Sequence, residues 1–339
     1  MKNIVFLSIV LSVFIEKMIA QQEVMFSQYY QNAFYYNPAA GGMTKTIQLD
    51  MGYRNQWSGI EGAPQSFFFT GHSEVKFRSK GKEVIEEFNT DRENIFPNPK
   101  TIIGRSKHVM GGRLLSDAIG PFQKQSILGS YAYHLRFSKK TMLGLGVAAG
   151  WSNYGLNESK VVLLEQDDTQ YNEFLSRNSN QNIFDINAGL TLYGERYSFG
   201  ISSTQLLDNN MVINQVMTES SYGRHWFAYG MYQFDITEGF IAEPHFMLQT
   251  IGNAPFSFNL GSRIIFDQRY WANVAYRFGD ALNFGFGMNV ARNFRFGYAY
   301  DFGVGRFQGV TNNVHELQVG YIIGNNRKID KELKEGKID

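Results

Sequence analysis

The chain has 339 residues, 43% of them hydrophobic and 15% aromatic, with 34 Gly, no Cys and only 19% charged residues. The 32 basic and 31 acidic side chains nearly cancel, which argues against the basic surface of a nucleic-acid binder. The lack of Cys excludes a fold that depends on disulfides or on Cys-ligated metal.

Lys2 precedes an apolar run, Ile4–Ile15, and the segment closes on small Ala20. This is the layout of a cleaved secretory signal peptide over 1–20, with an apolar region too short to span a bilayer. No Cys follows it, so a lipid anchor is not expected. The first twenty residues hold Lys2, Lys17 and Glu16, so the remainder carries 30 basic and 30 acidic side chains. No later run is long and apolar enough for a membrane-spanning helix. An integral membrane protein with this sequence must therefore be a closed β-barrel, the other structure that satisfies every backbone polar group in lipid.

The stretch Val24–Gly42, "VMFSQYYQNAFYYNPAAGG", has no charge and is dense in Tyr, Phe, Asn and Gln. So many aromatics argue against a disordered leader. The expectation is an N-terminal periplasmic or plug segment over 21–45, packed into or against the periplasmic mouth of a barrel.

From residue 46 to 323, apolar and polar residues alternate with period two. The alternation predicts strands at 46–55, 66–76, 108–116, 125–137, 141–152, 183–193, 196–205, 222–235, 239–249, 256–266, 269–278, 282–290, 293–302 and 314–323. That is about fourteen, most of them near the nine to eleven residues that a tilted membrane strand needs, and an even number as single-chain bacterial barrels require. Tight turns at 138–140, 194–195, 236–238, 267–268 and 291–292 alternate with longer loops at 153–182, 206–221, 250–255 and 303–313. Short periplasmic turns and longer external loops are the pattern of an outer-membrane barrel. The turn at 279–281 is a short exception. The charged run at 77–107 is a long one on the short-turn side. The charged tail 324–339 falls on the periplasmic side as well, which places both termini in the periplasm.

The two faces of each strand differ. One parity is apolar, as in Phe256, Phe258, Leu260, Ile264 and Phe266, or Leu143, Leu145, Val147, Ala149 and Trp151, and is expected to meet lipid. The other gathers Asp50, Arg54, His72, Glu74, Arg113, His134, Arg136, Asp185, His225, Asp235, Glu243, His245, Arg263, Arg277, Arg295, Asp301 and Glu316, and is expected to line the lumen. In "LNFGFGMNVARNFRFGYAYDF" (282–302) this puts Phe284, Phe286, Met288, Phe294, Phe296 and Tyr298 outside, and Asn289, Arg295 and Asp301 inside.

Glu243 and His245 share a face at a spacing that could hold a metal, and His134, His225 and His315 lie in other strands. Mixed charges that pair across a polar lumen account for these residues more simply, so no catalytic residue, metal or cofactor is assigned. The acidic stretch 165–173 lacks the spacing of a calcium loop. Tyr154, Tyr171 and Phe174 in the loop 153–182 are candidate aromatic anchors for a partner.

"FSQYYQNAFYYNPAAGG" resembles the leader of the PorP/SprF family, with Phe26, Ser27, Gln28, Tyr29, Asn32, Tyr36, Asn37 and Pro38 at the motif positions. "YRNQWSGIEGAP" resembles the family's next motif, through Arg54, Asn55, Gln56, Trp57, Gly62, Ala63 and Pro64. "SDAIGP" supplies Asp117, Gly120 and Pro121. "YRFGDA", "GYAYDF" and "HEL" supply C-terminal markers that include Tyr298, Tyr300, Asp301, His315 and Glu316. The excursion at 77–107 looks longer than the family's link.

The resemblance implies a non-enzymatic outer-membrane protein of the type IX secretion and gliding system. It implies partners among the other secretion components. It also implies a large secreted adhesin-like surface protein, held through its C-terminal sorting domain. The alternative is a passive porin or small-molecule transporter.

Overall fold

The computed structural model describes residues 24–44, 46–75, 106–138, 140–161, 180–207, 210–213, 216–221, 223–251, 256–290, 293–304 and 314–323. The segment 1–20, the excursion 77–107 except its last two residues, the tail 324–339, the acidic stretch 165–173, Tyr171 and Phe174 lie outside them.

The described chain is built of strands. In order they are β1 (Ile47–Asn55), β2 (Gln65–Val75), β3 (Lys107–Ile119), β4 (Phe122–Ser138), β5 (Thr141–Leu156), β6 (Asn180–Tyr193), β7 (Tyr197–Thr204), β8 (Asn210–Ile213), β9 (Val216–Ser221), β10 (His225–Tyr232), β11 (Phe234–Thr237), β12 (Phe240–Ile251), β13 (Ser257–Phe266), β14 (Tyr270–Arg277), β15 (Ala281–Val290), β16 (Phe294–Gly303) and β17 (Val314–Ile323). β8 and β9 form a separate hairpin in the loop after β7, and β11 continues the line of β10 along the edge of β12. The remaining neighbours are antiparallel and sequential, β1 pairs with β17 and β10 with both β7 and β12. The result is a closed fourteen-position barrel, and closure leaves no sheet edge to be satisfied by lipid. Among the described residues no helix is long and apolar enough to cross a membrane.

Register follows the sequence period. Phe284 lies opposite Tyr300, Phe286 opposite Tyr298 and Met288 opposite Phe296, while Asn283 faces Asp301 on the other parity. Phe286 is 57% exposed and Asn283 1%. The expected lipid and lumen faces of this hairpin are therefore the observed ones. The same holds around the wall, where Leu145, Val147, Trp151, Leu190, Leu260 and Val274 point outward, and Asp50, Arg54, His134, Asp185, Glu243 and Asn273 are buried inside. The β13–β14 turn places Asp267 and Gln268 at φ of 50° and 51°, the two left-handed residues that a type I′ hairpin turn needs to match strand twist.

Three strand expectations change. Residues 117–124 are not a loop: β3 and β4 run on to Ile119 and from Phe122, joined only by Gly120 and Pro121. Likewise β5 continues to Leu156 and β6 starts at Asn180, so Tyr154 is a strand residue rather than a loop residue. The strand expected at 222–235 is interrupted at Gln233, between β10 and β11, where the Gln233 N–H donates to the Arg196 carbonyl at 2.7 Å. β6 pairs with β5 as far as Asn180 but with β7 only as far as Ala188. The strands β3–β6 therefore stand as a blade above the rim at the end of the barrel that carries the longer loops.

Candidate functional site

The lumen is occupied by the chain's own leader. Phe26, Ser27, Gln28, Tyr29, Tyr35, Tyr36, Asn37 and Ala39 are each no more than 2% exposed. Local polar bonds fold this segment into two short turns. Asn32 caps the 3-10 turn Ala33–Tyr35 by accepting from the Tyr35 N–H, and Asn37 caps Pro38–Ala40 by accepting from the Ala39 N–H. Pro38 at the first helical position loses no hydrogen bond there and presets φ. The Tyr36 hydroxyl accepts from the Phe26 N–H at 2.7 Å and closes the leader on itself.

Wall contacts come from the whole circumference. Asn32 donates to Thr70 at 2.9 Å, Arg113 to the Tyr35 carbonyl at 2.7 Å, and Ser202 to the Tyr36 carbonyl at 2.9 Å. The Asn37 amide donates to the Leu190 carbonyl at 2.9 Å, Thr191 Oγ1 at 3.0 Å and the Ile201 carbonyl at 3.3 Å. The aromatic rings fill the space between these bonds. Phe26 packs edge-on against Phe68 at 4.6 Å, Tyr36 against Phe227 at 5.2 Å and Tyr30 against Trp271 at 5.7 Å.

Lumen glycines make room for the leader backbone. A Cβ on Gly146 would lie 2.4 Å from Ala39 N and 2.6 Å from Ala39 Cα. One on Gly189 would lie 2.1 Å from Asn37 Oδ1, and one on Gly297 2.2 Å from Gln28 Oε1. At Gly146 the obstacle is leader backbone, and at Gly189 and Gly297 a Cβ would force Asn37 or Gln28 to shift, so the wall is shaped around the leader.

A buried charge cluster holds the start of the leader. Arg54 bridges Asp301 at 2.7 Å and Glu316 at 3.0 Å, and Arg277 approaches Asp301 at 3.4 Å. The Ser27 N–H donates to Glu316 Oε2 at 2.6 Å and the Gln28 N–H to Oε1 at 3.0 Å. The Ser27 hydroxyl donates to Asp301 at 2.7 Å and accepts from Arg54 at 2.8 Å and Arg277 at 3.2 Å. Two cations and two anions thus neutralise one another, and the carboxylates use their remaining capacity on the leader. Buried ions are tolerated only with such partners.

The polar lining continues from this cluster as a directed chain. Asp301 accepts from Asn283 Nδ2 at 2.6 Å and Asn283 Oδ1 from Asn273 Nδ2 at 2.9 Å, which leaves Asn273 Oδ1 to accept from His245 Nε2 at 2.8 Å. His245 Nδ1 meets the Tyr29 hydroxyl at 2.7 Å. Both nitrogens of His245 are therefore committed, while Glu243 engages Arg263 at 2.6 Å and Gln233 at 2.6 Å. Among the described residues no group of three His, Cys, Asp or Glu could hold a metal. His134 pairs with Tyr193 at 2.6 Å and His225 with Gln205 at 3.1 Å.

The motif residues separate into three groups. Phe26, Ser27, Gln28, Tyr29, Asn32, Tyr36, Asn37, Pro38, Arg54, Asp301 and Glu316 meet inside the lumen, as described. Gln56, Trp57, Gly62, Ala63 and Pro64 form the β1–β2 loop, where the Gln56 N–H donates to the Pro64 carbonyl at 2.9 Å. Trp57 holds a left-handed φ of 55° there, and Asn55 ends β1 opposite His315 and Gln65. This loop packs on the Gly120–Pro121 turn, with the Gly120 N–H donating to the Gly62 carbonyl at 2.8 Å. Both glycines have positive φ, 75° and 56°. Asp117 accepts from Ser66 beneath them at 2.6 Å. Tyr298, Tyr300 and His315 lie on the outward parity, where Tyr298 and His315 bond at 2.7 Å, an interfacial aromatic cluster of the kind that girdles barrels. Tyr154 accepts from Gln205 at 2.7 Å with Lys124 5.4 Å from its ring. The lumen glycines and the Asn273–Asn283 relay went unrecognised in the sequence, where their only signal was an inward parity of Gly and Asn.

Fold and site together define an outer-membrane β-barrel whose lumen is filled by its own N-terminal leader. The family model for the type IX secretion system membrane protein PorP/SprF matches residues 18–321, and the chain belongs to that family. It is thus a membrane component of the type IX secretion system, whose other components are its partners. Comparison with curated proteins gives no match.

Solved structures that resemble it include the Ralstonia pickettii toluene transporter TbuX, with 11% identity, TM-score 0.47, and 86% of this chain and 92% of that one covered. Another is the CymD monoaromatic hydrocarbon channel, with 11% identity, TM-score 0.48, and 90% and 94% covered. A third is the translocator domain of the autotransporter NalP from Neisseria meningitidis, with 10% identity, TM-score 0.38, and 83% and 89% covered.

Proposed function

We propose that this barrel is a non-enzymatic partner of type IX secretion that helps secrete a large adhesin-like surface protein and anchors it at the cell surface by binding its C-terminal sorting domain. One observation carries the choice of an anchor over a channel. The space a porin would leave open holds a leader bonded to the wall on every side and matched by lumen glycines. The leader then acts as a plug, and binding falls to the long-loop end, where the β3–β6 blade and the β1–β2 loop stand above the rim.

The barrel should be purified from its native membrane by affinity and its companions identified by mass spectrometry. Recovery of a large secreted protein, lost when that protein's C-terminal domain is removed, supports the reading. A companion-free monomer with ion conductance in planar bilayers establishes the porin instead.

A further inference from the structure

We infer that the leader threads the lumen from the short-turn end upward, so that its start, from Val24 to Gln28, lies toward the long-loop mouth, on the opposite side of the membrane from the end of β17. Two sets of contacts fix the direction. Gly42 and Met43, just before β1, bond at the short-turn end. The Gly42 N–H donates to His72 at 3.0 Å, and Lys107 at the start of β3 donates to the Met43 carbonyl at 3.2 Å.

Ser27 and Gln28 bond at the other end. Arg54 is the penultimate residue of β1, Arg277 the last of β14, Asp301 lies two from the end of β16 and Glu316 two from the start of β17. All four strand ends belong to the long-loop rim. Between these points Tyr29 meets His245 and Ala39 meets Gly146 at mid-strand. The segment therefore spans the depth of the lumen, and its charge-neutral lock sits at the exit. The sequence pattern alone placed both ends on one side.

The location matters for recognition. A partner that docks on the long-loop face approaches the mouth above the start of the leader, beside the Gly62–Gly120 contact and the inner face of the blade. Ile60, Ile119 and Phe122 there are 44%, 46% and 60% exposed. The last two continue the inward parity of Leu115 and Leu128 beyond the lumen.

The chain has no Cys, which makes a clean test. One epitope is placed directly ahead of Val24, a second at Glu61 in the β1–β2 loop and a third directly after Ser138, where β4 ends at the short-turn rim, each in a separate full-length chain. Antibody access on intact cells should give the Val24 tag the same reading as the Glu61 tag and the opposite reading to the Ser138 tag. In the Val24-tagged chain, Asn32→Cys with Thr70→Cys, whose native side chains touch at 2.9 Å, should form a gel-resolved disulfide and leave the tag reading unchanged. A Val24 tag that follows the Ser138 tag overturns the inference. Failure of the disulfide to form in a correctly inserted barrel overturns it as well, since the leader is then not seated. Neither result depends on which secreted partner is captured.

Discussion

Replacing Gly146 with Val tests whether the leader is the part that fills the barrel. The first added carbon would lie 2.4 Å from Ala39 N and 2.6 Å from both Ala39 Cα and Pro38 C. These are backbone atoms of a capped turn, so no flexible side-chain end can move aside. Overpacking of this kind costs about 1–3 kcal/mol. Moving Pro38 and Ala39 also draws Asn37 from its three acceptors on β6 and β7, at about 1 kcal/mol for each bond lost. A total near 4–6 kcal/mol shifts the balance toward an unseated leader by roughly a thousand- to ten-thousand-fold.

The lost contacts are between leader and wall, and the ladder of the barrel is untouched. Gly146→Val should keep the heat-modifiable mobility of a folded barrel, gain conductance in planar bilayers and expose the leader to protease. Gly129→Val is the control, because a Cβ there meets nothing within 4 Å. If Gly146→Val conducts no more than Gly129→Val and its leader stays protected, the leader is not what closes the lumen.

Deleting residues 24–42 should open the pore more fully than Gly146→Val and lower the thermal stability of the barrel, measured by gel shift. Arg54→Met leaves Asp301 and Glu316 buried with less compensation, at a cost of about 3–5 kcal/mol. The urea midpoint should fall, and Arg54→Lys should restore only part of it, since one ammonium cannot serve both carboxylates as the guanidinium fork does. Phe296→Arg places a charge on the lipid face and should cost about 2–4 kcal/mol if the position lies near the midplane; an unchanged refolding free energy in vesicles would reverse the assigned faces.

Period-two alternation exposed the wall to a reading of the sequence because lipid and lumen impose opposite chemistry on neighbouring residues. Phe286 and Asn289 could be assigned from parity alone, as could most of the inward set from Asp50 to Glu316, but Arg136 and Asp235, at the short-turn ends of their strands, are exposed, with Asp235 paired to Arg196. Parity fails where the environment stops alternating. At 117–124 the strands rise above the lipid, and Gly120–Pro121 resembles a loop, so the blade was missed and Tyr154 was placed beyond it. At Gln233 the strand is interrupted between β10 and β11 although its side-chain pattern continues. The site was visible as its separate parts but not as an assembly. Ser27 and Glu316 are 289 residues apart, and nothing local in either reveals that one backbone N–H faces the other carboxylate. Tyr298, Tyr300 and His315 show the converse error, since motif residues next to Asp301 and Glu316 point outward on the other parity.

The size of the barrel explains why the leader has its composition. Side chains fill a closed sheet of about eight strands, but wider barrels leave a void along the axis. Fourteen wall positions bring the interior into that range, and a polar lining cannot be left facing an apolar plug. A segment that fills such a void must supply bulk at low entropic cost and must bond to Thr70, Arg113, Thr191, Ser202, His245 and Glu316 around its circumference. Tyr and Phe supply the bulk with two side-chain torsions each, and Asn, Gln, Ser and Tyr supply donors and acceptors without adding charge to a lumen already balanced by Arg54, Arg277, Asp301 and Glu316. The uncharged, aromatic, amide-rich character of 24–42 is therefore the composition that the inside of this barrel requires.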